Sequence, residues 1–188
     1  MPSRLSPQSL LQLRIELLGT EPLVWRCILV PDTITLVRLH AVIQESMGWG
    51  YGHLHEFEIG GQRYGEPYDW DDDPGLINEA RKRLRTVLGR RKTLHYLYDF
   101  GDSWQHKITL EKRLSLNKPH RYAQCLAGEN ACPPEDVGGI PGYYEFLEAM
   151  ADPDHEEHLG CMEWWDGSFD PAHFDLHNTN TQLKKIKL

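Results

Sequence analysis

The stretch Tyr96-Leu97-Tyr98-Asp99-Phe100-Gly101-Asp102-Ser103-Trp104-Gln105-His106 sets two aspartates and a histidine among four aromatic residues. With Gly101-Asp102-Ser103 as a turn, its flanks alternate with a period of two and read as the arms of a β-hairpin, residues 94–100 and 104–112. Paired outward, Phe100 meets Trp104, Tyr98 meets His106, Tyr96 meets Ile108 and Leu94 meets Leu110, all on one face. The other face takes Asp99 with Gln105, Leu97 with Lys107 and His95 with Thr109. Asp99 is thereby assigned to the more polar face, and Asp102 to the turn, where a carboxylate accepts backbone N–H bonds. His106 falls on the aromatic face, where an unpaired imidazole is costly. It is either a core histidine bonded to a tyrosine or a backbone carbonyl, or a histidine lining a pocket.

Upstream, "LRIELLG" (13–19) and "VWRCILVP" (24–31) alternate like strands, with Gly19-Thr20-Glu21-Pro22 as the turn. Leu36, Leu39, Val42, Ile43 and Met47 recur at helical spacing; Asp32 or Thr33 caps that helix and Gly48 ends it. "HLHEFEIGGQRYG" (53–65) reads as a hairpin turning at Gly60-Gly61. "DWDDDPG" (69–75) is an acidic turn, and a short helix ending near Gly89 follows. After residue 113 the texture changes to proline- and glycine-rich loop and short helices. Tyr143–Ala151 has apolar helical spacing, and Asp152-Pro153 and Asp170-Pro171 each predict a helix start.

The chain has 188 residues, 40% of them hydrophobic, enough for one sizeable core. No apolar run approaches the ~20 residues of a membrane span, and no signal segment opens the chain. Four scattered cysteines without C-x-x-C spacing indicate a reduced, cytoplasmic protein. Residues 81–92 carry seven of the twenty Lys and Arg, whereas residues 122–183 hold thirteen Asp and Glu and no Lys or Arg. A duplex-DNA binder shows a broad basic face; here the short basic stretch partly neutralises the acidic half, or contacts nucleic acid or an acidic ligand.

Motifs for catalysis are sparse. Asp99-Phe100-Gly101 also occurs in protein kinases, but no Gly-rich nucleotide loop or H-R-D segment accompanies it. Neither G-x-S-x-G nor a P-loop is present. His155-Glu156-Glu157-His158 resembles the H-E-x-x-H zinc helix one residue short, with Leu159 at the place of the second histidine; an acidic first helical turn is the simpler reading. Cys125 and Cys132 lack the tight spacing of a zinc knuckle, and 69–75 has no EF-hand register. In 128–146, "GENACPPEDVGGIPGYYEF", two prolines stiffen the backbone ahead of Glu135-Asp136, and these acids cap and form turns or belong to a functional loop.

Four ordered segments, "PLVWRCILVPDTITLVRLHAVIQESMGW", "HLHEFEIGGQRYG", "YLYDFGDSWQHKITLE" and "CLAGENACPPEDVGG", make the chain resemble the plasmid pRiA4b ORF-3-like family, over about residues 13–183. The resemblance implies a compact α+β domain of bacteria and archaea, some members of which are passengers of plasmids or insertion sequences, or bear the label TnpR. It brings no settled activity, substrate or catalytic residues. Serine-resolvase architecture needs a basic helix-turn-helix tail, and this chain ends in an acidic region and "LKKIKL". Tyrosine recombinases use a His-x-x-Arg element, which is absent.

The expected structure is one α+β domain over residues 1–188, with a mixed or antiparallel sheet. It starts β-β-α-β-β in a β-grasp-like manner and continues with a long hairpin. Residues 1–10 form a loose tail, and 113–188 an acidic loop-and-helix part packed on the sheet. The expected role is binding an unknown small molecule or protein, without a cofactor, a membrane or assigned catalysis. The site is placed where the 94–112 hairpin, the 128–139 loop and Trp49–His55 converge. Trp49, Tyr98 and Trp104 would offer flat apolar surfaces, and His53, His106, Asp99, Asp102, Glu135 and Asp136 polar anchors. Two alternatives stand beside it. A metal-dependent hydrolase would use the acids beside His106 or the weaker His155/His158 pair. A nucleic-acid accessory protein, disfavoured by the acidic balance, would use Arg81, Arg83, Arg90 and Arg91 within Arg81–Lys92.

Overall fold

Alternating apolar residues at the start of the chain build the first hairpin. The computed structural model describes residues 9–67, 74–115 and 122–187. Strand β1 (Ser9–Leu17) pairs antiparallel with β2 (Trp25–Pro31), and Leu11, Leu13, Ile15 and Leu17 are fully buried. Ser9 and Leu10 therefore belong to the sheet and not to a loose tail; residues 1–8 of that expected tail lie outside the described residues. Helix α1 (Leu36–Met47) is capped by Thr35, whose side chain accepts the Arg38 N–H, rather than by Asp32 or Thr33. Asp32 is buried and accepts the Ser9 hydroxyl at 2.9 Å, which ties it to β1 and delays the helix start. Gly48 closes α1 with φ 96°, a conformation open to glycine at little cost.

The expected hairpin follows as β3 (His55–Ile59) and β4 (Gln62–Gly65), turning at Gly60-Gly61. Next come β5 (Leu76–Asn78), α2 (Leu84–Leu88), β6 (Thr93–Tyr98) and β7 (Trp104–Ser115). Then follow β8 (Gln124–Glu129), α3 (Gly139–Ala151), α4 (His158–Trp165) and α5 (Leu176–Leu183). The acidic residues 69–73 lie outside the described residues. The fold is α+β, as expected: one sheet with the order β5-β4-β3-β6-β7-β1-β2-β8, antiparallel throughout except for the parallel pair β4–β5. Among the described residues no helix is long and apolar enough to cross a membrane.

The central hairpin forms with a longer turn than the residue pattern suggests. Tyr98 pairs with Trp104, Tyr96 with His106 and Leu94 with Ile108. Asp99 leaves the strand at φ 55°, its carboxylate accepts the Gly101 N–H at 2.8 Å, and its carbonyl accepts the Ser103 N–H at 2.6 Å. Aspartate tolerates this left-handed conformation because its side chain bonds the backbone locally. The pairing moves by two residues, an even step, so the faces are preserved. Tyr96, Tyr98, Trp104 and His106 share one buried side, while Phe100 leaves the aromatic face and is 47% exposed.

The expected helix starts at Asp152 and Asp170 also move. Each aspartate accepts a backbone N–H two residues on, from Asp154 and Ala172, and closes a turn. The helices begin later, with Asp175 capping α5 through the Asn178 N–H at 2.8 Å.

Arg26 joins β2 to the C-terminal part. Its buried guanidinium donates to the backbone carbonyls of Ser46, Trp25, Glu129 and Asn130 at 2.8–2.9 Å, and it lies 4.0 Å from the Phe174 ring centre. Helix α3 is seated on the central hairpin by a close backbone approach. Gly139 has φ 68°, and a Cβ there would stand 2.5 Å from the Asp102 carbonyl oxygen. Replacing Gly139 with Ala adds that clash to left-handed backbone strain, so urea unfolding should show a loss of about 2–4 kcal/mol. An unchanged unfolding midpoint would mean that the loop is not seated on the hairpin turn.

Candidate functional site

The left-handed end of α1 swings Trp49 back over the central hairpin. Its N–H and that of Gly48 both donate to the Gln44 carbonyl, at 3.1 and 2.8 Å. The Trp49 ring stacks on Tyr98 at 5.0 Å between centres, lies 5.9 Å from Trp104, and meets His106 edge-on at 5.3 Å. Its indole N–H donates to the Pro133 carbonyl at 3.0 Å, so the rigid Pro133-Pro134 segment is fastened to the same rings.

Glu135 completes the fastening. One carboxylate oxygen accepts the Gly50 N–H at 2.8 Å, and the other accepts the Tyr98 hydroxyl in a short hydrogen bond. Burial, reinforced by this carboxylate, pushes the Tyr98 hydroxyl up, and it remains a donor. Asp102 accepts the Gly138 N–H at 3.1 Å. The three segments expected to converge do converge, and the structure gives several of their side chains framework roles. Trp49, Tyr98 and Trp104 are buried against one another and present no open flat surface to a ligand. Glu135 and Asp102 are occupied by the loop contacts.

His106 is a core histidine of the backbone-bonded kind, and not a polar anchor. It is fully buried, and its Nδ1 lies 3.0 Å from the Trp104 carbonyl and 3.3 Å from that of Tyr96. A carbonyl only accepts, so Nδ1 carries the proton. Nε2 has no hydrogen-bond partner among the described residues, nor has Trp104 Nε1. Burial pushes the imidazole down to about 4.

Three of the expected residues remain as a polar cluster at the edge of this framework. His53 Nδ1 lies 3.6 Å from an Asp99 oxygen, and His53 Nε2 lies 3.1 Å from an Asp136 oxygen. One ligating atom from each of His53, Asp99 and Asp136 falls within 4.8 Å of the others. Asp99 is buried, His53 half-buried and Asp136 exposed, so the cluster opens to solvent on one side. The expectation that Asp99 sits on the polar strand face is corrected: its turn conformation points the carboxylate toward His53.

A neighbouring constellation had not been singled out from the sequence. His40 on α1 and His55 at the start of β3 stack face to face, 3.6 Å between centres and 4° between planes. His55 Nε2 lies 3.0 Å from Glu79 Oε1. The Tyr96 hydroxyl receives the Gln44 amide at 3.1 Å and lies 2.7 Å from His40 Nδ1. Gln44 Oε1 accepts the Tyr51 N–H, which fixes the amide orientation. The Tyr96 hydroxyl therefore donates its hydrogen bond to His40 Nδ1, and the neutral ring carries its own hydrogen on Nε2. Burial, with His55 alongside, pushes His40 down to about 3. His40, His53, His55 and Glu79 line a cleft of about 550 Å³.

The other candidates lie elsewhere. His155 Nδ1 accepts the Glu157 N–H at 3.1 Å, and His158 Nδ1 donates to the Ala149 carbonyl at 2.7 Å; among the described residues the metal-capable group is His53, Asp99 and Asp136 and not this pair. Arg81 and Arg83 precede α2, and Arg90 and Arg91 follow it, all four exposed. Arg90 and Arg91 border a depression shared with Lys92, Lys112, Arg113 and Glu111.

Comparison with known proteins matches residues 9–178 to the profile of the plasmid pRiA4b ORF-3-like protein family. The chain belongs to that family. The uncharacterised protein y4hQ of Sinorhizobium fredii (strain NBRC 101917 / NGR234) is 40% identical over 182 residues, which are 95% of this chain and 92% of that one. The crystal structure of MM3350, a protein of unknown function from Methanosarcina mazei Go1, is similar with a TM-score of 0.82 and 37% identity, over 91% of this chain and 97% of that one. MM3350 shares the fold of this pRiA4b ORF-3-like chain, and neither relative's name assigns an activity.

The two depressed histidines set an acid limit on this member of the family. Unfolded, His40 and His106 take up protons near the usual 6.5; folded, they resist until about 3 and about 4. Their contribution is complete above pH 6.5 and is lost as pH falls toward the folded values. Denaturant titrations at neutral pH and near pH 5 should differ by about 2–4 kcal/mol, at about 1.4 kcal/mol per unit for each group. His106→Gln should remove about half of that slope; an unchanged slope would show that His106 does not titrate in this way.

Proposed function

We propose that this chain is a cytoplasmic ligand-binding domain that holds a divalent cation on His53, Asp99 and Asp136 and engages its ligand through that ion. The carrying observation is the gathering of one imidazole and two carboxylates within 4.8 Å, from three separate segments. Nitrogen with hard oxygen donors suits zinc or manganese. Three protein ligands leave coordination positions free for water or a ligand, as in open rather than closed structural sites. The cation also relieves the crowding of two carboxylates around one imidazole. The four unpaired thiols fit a reducing compartment.

A metal-dependent hydrolase is a second reading of the same cluster, favoured by the same free coordination positions, which would allow an activated water. It shares the first requirement, cation binding, and adds turnover.

Calorimetric titration of chelator-stripped protein with zinc or manganese tests the requirement. One site per chain is expected, weakened at least about tenfold by Asp99→Asn or Asp136→Asn. Asparagine at 99 retains the oxygen that caps Gly101 and so leaves the turn intact. Absence of binding, or binding indifferent to both substitutions, would refute the proposal.

A further inference from the structure

Glu79 is buried to 3% exposure, yet only half of its carboxylate is satisfied. Oε1 pairs with His55, while Oε2 has no hydrogen-bond partner among the described residues. The backbone holds it firmly: its N–H donates to the Gly65 carbonyl at 3.1 Å, and its carbonyl accepts the Lys82 N–H at 2.9 Å. A buried acceptor left unpaired costs about 1–3 kcal/mol, and more when charged, so the site favours any donor that reaches it.

The surroundings narrow that donor. Among the described residues no lysine or arginine lines the cleft, and Glu66 adds a second carboxylate. His40 is held neutral by burial and by His55, and supplies no opposing charge. Val37, Tyr51 and Leu54 line the same cleft and are exposed, an apolar wall beside an acidic floor. The volume of about 550 Å³ suits a small organic molecule. We infer that this cleft binds an organic nitrogen cation, an alkylammonium or alkylguanidinium group, whose N–H donates to Glu79 Oε2 while its alkyl part lies against Val37, Tyr51 and Leu54. This site shares His53 with the His53–Asp99–Asp136 cluster but turns on Glu79, and needs no metal.

The test is calorimetry in the presence of EDTA, which removes any contribution from a cation at the neighbouring cluster. The probes are n-butylammonium and n-butylguanidinium, with butyrate and n-butanol as controls. Saturable one-to-one binding of a cationic probe is expected, with no binding of butyrate. Glu79→Gln should weaken it at least about tenfold, the worth of a hydrogen bond to a charged group. Ala80→Trp, which fills the cleft from its exposed rim, should abolish it without touching the Glu79–His55 pair, and serves if Glu79→Gln does not fold. No binding of either cationic probe, equal binding of butyrate, or binding unchanged in the folded variants would overturn the inference.

Discussion

Glu135 spends both carboxylate oxygens on holding a loop against a hairpin, and the polar cluster beside it depends on that hold. The Tyr98 hydroxyl and the Gly50 N–H are its two donors, one from the end of β6 and one from the segment leaving α1. The Trp49–Pro133 bond runs parallel to it. Three chain segments distant in sequence are thereby locked together by charge-assisted hydrogen bonds, stronger than neutral ones. Asp136, the next residue along, is delivered to His53 as a consequence. The aromatic rings act as the rigid floor beneath the polar groups, a division of labour that suits a preorganised site.

Histidine plays three physical roles within this small region. His106 is a neutral core donor, paired to backbone carbonyls and depressed by burial. His40 is held neutral by burial with a second imidazole stacked on it, and its Nδ1 accepts a hydrogen bond from the Tyr96 hydroxyl. His53 sits between two carboxylates at the solvent edge. Burial and partners, not residue type, separate these roles.

Much of this was legible in the residue pattern. Period-two alternation in 94–112 gave the faces of the central hairpin, and an even change of register left them intact. The convergence of Trp49, Tyr98 and Glu135-Asp136 was readable from the density of aromatics and acids in three segments. Burial was harder to read, because aromatic residues suit both a ligand wall and a core; Trp49 and Trp104 turned out to pack on each other. The turn conformation of Asp99 was missed because Gly101-Asp102-Ser103 offers an equally plausible local turn. Strands β5 and β8 are short edge strands, "LIN" and "QCLAGE", with little alternation to reveal them. Glu79 was missed with them, since its partner His55 lies across the sheet edge and no spacing along the chain announces the pair.

The central claim is that the lock made by Glu135 exists beside a cation site and presents His53, Asp99 and Asp136 to one ion. The most direct measurement is anomalous scattering from crystals grown with zinc. The account requires a zinc peak within about 2.2 Å of a His53 nitrogen and of oxygens from Asp99 and Asp136. A well-ordered structure from the same crystals, with those side chains paired only to one another and no peak between them, would contradict it.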